Sequence, residues 1–162
     1  MSILARFRKP GGVDNLVALL ESCMPKKRER LLAVIDEEDK KFGNKVKARI
    51  LTADKIFKWD PLLINEVTSR MKPRTIAVCV KGLGEKAFEI ACLTMSPVQK
   101  REIKEILETI NPNSAEIESA YIMLVEETRK AETEGLLFIP IVEIEEPDEV
   151  PLFQETPVKQ AA

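Results

Sequence analysis

The residues 80–86, Val-Lys-Gly-Leu-Gly-Glu-Lys, hold the glycines and lysine that a phosphate-cradling loop uses. They lack the full G-x-x-x-x-G-K-[ST] spacing and no parallel strand leads into them, so a turn between two helices is the expected structure there. An enzyme or phosphate-binding module would have to centre on Lys81, Gly82 and Gly84. Carboxylate pairs such as Glu37 with Glu38 and Glu126 with Glu127 are adjacent on helical patterns. Adjacent helical side chains diverge, and the pairs are expected to be solvated surface rather than an acid/base dyad. The chain contains no histidine, which removes the commonest general base and metal ligand at neutral pH. Cys23, Cys79 and Cys92 are odd in number and have no C-x-x-C spacing, which fits reduced thiols acting as small hydrophobes. No cofactor, metal site or catalytic constellation is expected, and the protein is expected to act by contact.

The remaining candidate for chemistry is a charged helix. In Leu93–Pro112, "LTMSPVQKREIKEILETINP", Ser96 is placed to cap a helix and Pro97 to begin it. Ile103, Ile106, Leu107 and Ile110 recur as an inward seam. Lys100, Arg101, Lys104, Glu105 and Glu108 fall on the outer side. Arg101 with Glu105 and Lys104 with Glu108 stand at i, i+4, so the outer charges have either an external partner or each other.

The elements that must hold this helix are legible from punctuation. Met24-Pro25, Asp60-Pro61, Lys72-Pro73, Ser96-Pro97 and Asn111-Pro112 each precede a helical pattern. Helices are expected at 13–23, 25–37, 39–51, 54–58, 61–71, 73–81, 84–94, 97–109 and 114–134, with Gly135 as the stop. The apolar spacing agrees: Leu16, Leu19, Leu20 and Cys23 repeat at three and four, as do Leu31, Leu32 and Ile35. The last helix carries Ile117, Tyr121, Leu124, Val125 and Thr128 on one side. Such one-sided helices must pack on neighbours, and the fold class is all-α. Only "LLFIPIVEIE" has a hint of strand, and Pro140 interrupts it. Beyond Pro140 the chain is acidic and broken by proline, so residues 140–162 are expected to be a disordered tail, with Leu152 and Phe153 available as a docking motif.

Composition sets the remaining bounds. Of 162 residues, 25 are basic and 27 acidic, so no global field draws the chain to nucleic acid or anionic lipid. No run of about 18 apolar residues is present for direct membrane insertion, and the basic stretch "MSILARFRKPGG" has no apolar run of the length expected of a signal peptide. A cytoplasmic protein is expected.

The segments "PGGVDNLVALLE", "RILTADKIFKWDPLLINEVTSRMKPRTIAVCVKGLGEKAFEIACLTMSPVQKREIKEILE" and "NPNSAEIESAYIMLVEETRKAETEGLLFI" together resemble the C-terminal half of the bacterial flagellar motor switch family FliG. In that family a Gly-Gly-Val opens an armadillo-like helical segment. The motifs D-D-R-S-I-Q, A-L-K-G-A, N-M-S-x-R-A, G-P-V-R-L and E-x-G-E-I follow in order. This chain keeps Asp60 and Ile64 in the first, Val80, Lys81 and Gly82 in the second, Met95 and Ser96 in the third, Pro112 in the fourth, and Glu134 and Gly135 in the last.

The resemblance implies an N-terminal arm at 1–12, an armadillo-like segment at 13–51, and a C-terminal helical subdomain at 52–139 that contains the charged helix 96–109. It implies a non-enzymatic rotor protein that works in motility and switching. Its partners would be the cytoplasmic loop of the stator and other rotor or switch-complex proteins, at the inner face of the cell membrane in the flagellar basal body. Self-association is compatible with this. Lys81 matches the lysine of A-L-K-G-A, and Glu105 the first of two acids on the family's torque helix. Val98, Ile106 and Ser114 stand where the family has arginine, acid and arginine. Ile50, Leu51, Thr52 and Ala53 replace its M-F-V-F connection, about which the last subdomain rotates. The alternative is a helical adaptor or scaffold of the same fold without a torque role.

Overall fold

The computed structural model describes residues 2–140, and among these it is helical with no strand. A 3-10 turn at Ile3–Phe7 is followed by α1 (Gly12–Glu21), α2 (Pro25–Glu38), α3 (Lys40–Arg49), α4 (Ala53–Ile56), α5 (Pro61–Thr68), α6 (Pro73–Leu83), α7 (Glu85–Cys92), α8 (Pro97–Thr109) and α9 (Ser114–Thr133). The expected tail from residue 141 onward lies outside the described residues.

The X-Pro signals act as local chemistry requires. Pro25, Pro61, Pro73 and Pro97 each occupy the first helical position, where the missing N–H would have had no helical partner. Asp39, Thr52, Asp60, Ser96 and Asn113 accept from the backbone N–H groups of the first turns that they precede. At α8 and α9 the cap is reciprocal. Gln99 accepts from the Ser96 amide and Glu116 from the Asn113 amide, so two orphan donors are satisfied at each start. The stop of α9 is equally local. Gly135 sits at φ 73°, the Leu136 N–H reaches Ala131 O and the Gly135 N–H reaches Glu132 O. This paired closure needs a residue tolerant of the left-handed region.

The buried side chains fall into two clusters. The first gathers Leu4, Phe7, Leu16, Val17, Leu20, Ile35, Val46 and Ile50, from the 3-10 turn and α1 to α3. The 3-10 turn is part of this core, and the glycines that follow make its approach possible. A Cβ on Gly12 would lie 2.4 Å from the carbonyl oxygen of Phe7. The second cluster runs from Leu51 to Leu137 and is organised around α6, which packs on α7, α8 and α9. Substantial helix-on-helix packing lies within one cluster or the other.

Several expected details shift. Helices α3, α5 and α7 end at Arg49, Thr68 and Cys92, two or three residues earlier than the periodicity predicts. Leu19, expected in the α1 seam, is 44% exposed, and Val17 takes the inward position. Glu37, Glu38 and Glu126 are exposed as expected, although Glu38 accepts from Ser2 Oγ and the Ile3 amide; Glu127 is half-buried and pairs with Arg70 and Lys130. Cys23 and Cys79 are buried as expected, while Cys92 is half-buried, and all three are free thiols.

Candidate functional site

Helix α8 is built as a seam and a face. Ile103 is 2% exposed, and Ile106, Leu107 and Ile110 are half-buried against the second cluster. Three-and-four spacing therefore brings one apolar stripe onto α6, and the other positions are left to water. Arg101, Lys104, Glu105 and Glu108 are exposed, whereas Lys100 is half-buried. Glu102, which the sequence reading left out, is also exposed, so the face carries three acids and three bases.

Lys81 lies on the last turn of α6 and its Nζ donates to the carbonyl of Leu107 at 3.4 Å. That carbonyl belongs to the last turn of α8, where no intrahelical N–H remains to satisfy it. The contact brings Lys81 to the charged helix, and a cation there also complements the helix dipole. Among the described residues, neither Arg101 with Glu105 nor Lys104 with Glu108 forms an ion pair; the pairs present lie elsewhere, as in Arg70 with Glu134 at 2.7 Å. The α8 charges are thus not consumed by i, i+4 pairing.

The residues 80–86 are no phosphate loop. Val80, Lys81 and Gly82 lie within α6, where their backbone N–H groups are spent in the helix, and Gly84, whose own N–H reaches Val80 O, separates it from α7. Among the described residues no group of histidine, cysteine, aspartate or glutamate is arranged to hold a metal ion. A groove of about 440 Å³ opens between α6, the α8–α9 connection and α9, lined in part by Arg74, Val78, Pro112 and Met123. The charged groups on its wall are Arg74 and Glu116, and Glu116 is already engaged in capping α9. Among the described residues no helix is long and apolar enough to cross a membrane.

A second polar cluster was not foreseen. Glu21, only 5% exposed at the end of α1, receives Arg129 of α9 through Nε at 3.0 Å and Nη2 at 2.6 Å. It also accepts the Leu51 amide at 2.9 Å. The sequence signal was a carboxylate one residue beyond Leu20 in an apolar stripe. Its partner, 108 residues away, has no signature in local periodicity.

Comparison with known proteins agrees with this architecture. The family described as "FliG C-terminal domain" matches residues 33–139. A flagellar motor switch protein FliG from Borreliella burgdorferi is 23% identical over 134 residues, covering 82% of this chain and 39% of that protein. The chain therefore spans about two fifths of the length of that relative. With a family match over most of its length and the expected all-helical fold, the chain belongs to the FliG C-terminal domain family.

Proposed function

We propose that this protein is a non-enzymatic rotor element of the flagellar motor switch. It works in the cytoplasm, at the inner face of the cell membrane, through an electrostatic contact between the α8 face and the cytoplasmic loop of the stator. Lys81, Lys100, Arg101, Lys104, Glu105 and Glu108 carry the contact, and helical contacts join the chain to other rotor subunits. In this reading 13–51 is an armadillo-like segment and 52–139 the torque-bearing subdomain. The observation that supports it most is the set of exposed α8 charges that leave i, i+4 pairing unused. Unpaired exposed charges keep their field available to a partner, and complementary charge sets the rate and register of such an encounter.

The test is charge reversal in the full chain. Lys81→Glu and Glu105→Lys are expected to weaken binding to the stator loop and reduce motility, with a loss that depends on salt. Exposed charges are screened over roughly 8 to 10 Å at physiological ionic strength. Unchanged binding and motility in both folded variants refutes the torque contact.

A second reading, an adaptor of the same fold, is favoured by Val98. It stands where the family has an arginine and is 72% exposed, which makes the first turn of α8 apolar toward solvent. In that case Val98→Arg weakens capture of the partner while the two reversals do not.

A further inference from the structure

We propose that Glu21 and Arg129 form a latch that fixes the orientation of the α1–α3 cluster relative to the α4–α9 cluster. The two clusters meet at an extended connection: Ile50 has φ −65° and ψ 128°, and Thr52 has φ −131° and ψ 159°. The substantial helix packing lies within one cluster or the other, so the connection by itself leaves their relative orientation weakly determined. Polar groups cross it instead. Arg129 binds Glu21 through two nitrogens, donates from Nη2 to the carbonyl of Arg49 at 2.9 Å, and is steadied by Glu132 at 3.0 Å. Lys55 of α4 donates to the carbonyls of Lys47 and Ile50 at 3.1 and 2.7 Å.

Two side chains of the second cluster thus satisfy carbonyls at the C-terminal end of α3, where cations are favoured and backbone partners are missing. Glu21 works from the other side. Its carboxylate is buried, and a buried charge is tolerated only when paired and hydrogen-bonded. Arg129 and the Leu51 amide supply both. A planar guanidinium bound at two points resists rotation as well as separation. Turning one cluster against the other breaks the bonds of Glu21 to Arg129 and returns its carboxylate to water, so the pair makes the junction two-state: latched or open.

Residual dipolar couplings on the full-length, isotopically labelled chain test this. In the native protein one alignment tensor is expected to fit amides of both clusters. In Glu21→Ala and Arg129→Ala the clusters are expected to need separate tensors, with Leu51 amide exchange at least tenfold faster. Amides of Val46 and Leu124, inside the two cores, are expected to exchange within about twofold of native. A single shared tensor in either alanine variant, or two tensors in the native chain, overturns the proposal. Should the alanine variants fail to fold, Glu21→Gln and Arg129→Lys keep the shape and weaken the latch. Leu51 exchange is then expected to rise severalfold, and unchanged exchange overturns the proposal.

Discussion

Replacing Ile103 by alanine tests whether α8 is divided into a structural seam and a solvent face. Ile103 is 2% exposed within the packing of α8 on α6. The change removes three buried carbons, a transfer loss of roughly 2.4 kcal/mol at about 0.8 kcal/mol each. The space left behind adds a cavity penalty, because neighbours relax only in part, which brings the expected loss to about 3 to 4 kcal/mol. At roughly 2 to 4 °C per kcal/mol for a chain of this size, the melting temperature falls by roughly 6 to 16 °C. The comparison is Arg101→Ala, two residues earlier and exposed. It breaks no ion pair among the described residues and is expected to stay within about 0.5 kcal/mol. Thermal melts followed by circular dichroism, with urea titration as a second measure, give both values. Comparable losses in the two variants refute the division, because the outer charges are then part of what holds the helix.

Gly12→Ala places a methyl against the backbone of Phe7, at 2.4 Å from its oxygen and 2.6 Å from its carbonyl carbon; no side-chain rotation relieves this. A net loss of about 1 to 3 kcal/mol in urea titration is expected despite the better helix propensity of alanine, and a gain in stability refutes it. Thiol labelling of the native protein is expected to modify the half-buried Cys92 first. Cys79 is 1% exposed, and burial pushes its thiol up to about 12, so equal labelling rates at the two positions contradict the packing described. Tyr121 is the one tyrosine, and its phenol is pushed up to about 12, first by burial and then by the neighbouring Cys79 and Asp54. The folded state favours the neutral phenol, so this contribution to stability is intact below about pH 10, the unfolded value, and is lost as pH rises toward about 12. Spectrophotometric titration of the folded chain is expected to show its midpoint well above 10, and an ordinary midpoint refutes it.

What was legible in the sequence was local. Helix starts were readable because a proline at the first position and a capping oxygen before it act within one turn, as at Ser96-Pro97 and Asp60-Pro61. Helix ends were less so: α5 gives way after Thr68 to tight turns in which Arg70 bonds back to Val67 and Met71 to Thr68, and no side-chain type announces them. The α8 seam was readable because four isoleucine and leucine positions repeat at helical spacing. The fate of its charges was not, since i, i+4 spacing permits pairs without forming them. In α1, Leu19 and Val17 exchanged roles because both fit a broad helical stripe, and the helices placed beside α1 decide which one turns inward. Arg129, in an outwardly ordinary charged run at the end of α9, gained its partner only through the placement of the two clusters.

The pairing of Glu21 with Arg129 also sets an order of events during synthesis. The α1–α3 cluster closes on contacts among residues 4–50 and is complete in sequence well before α9 exists. Glu21 then waits 108 residues for Arg129, roughly 5 to 20 s at about 5 to 20 residues per second. During that interval its carboxylate must stay hydrated and the carbonyl of Arg49 lacks the cap that Arg129 gives it. The nascent chain therefore presents a wet notch at the edge of a finished core, and only the arrival of the last helix dries it.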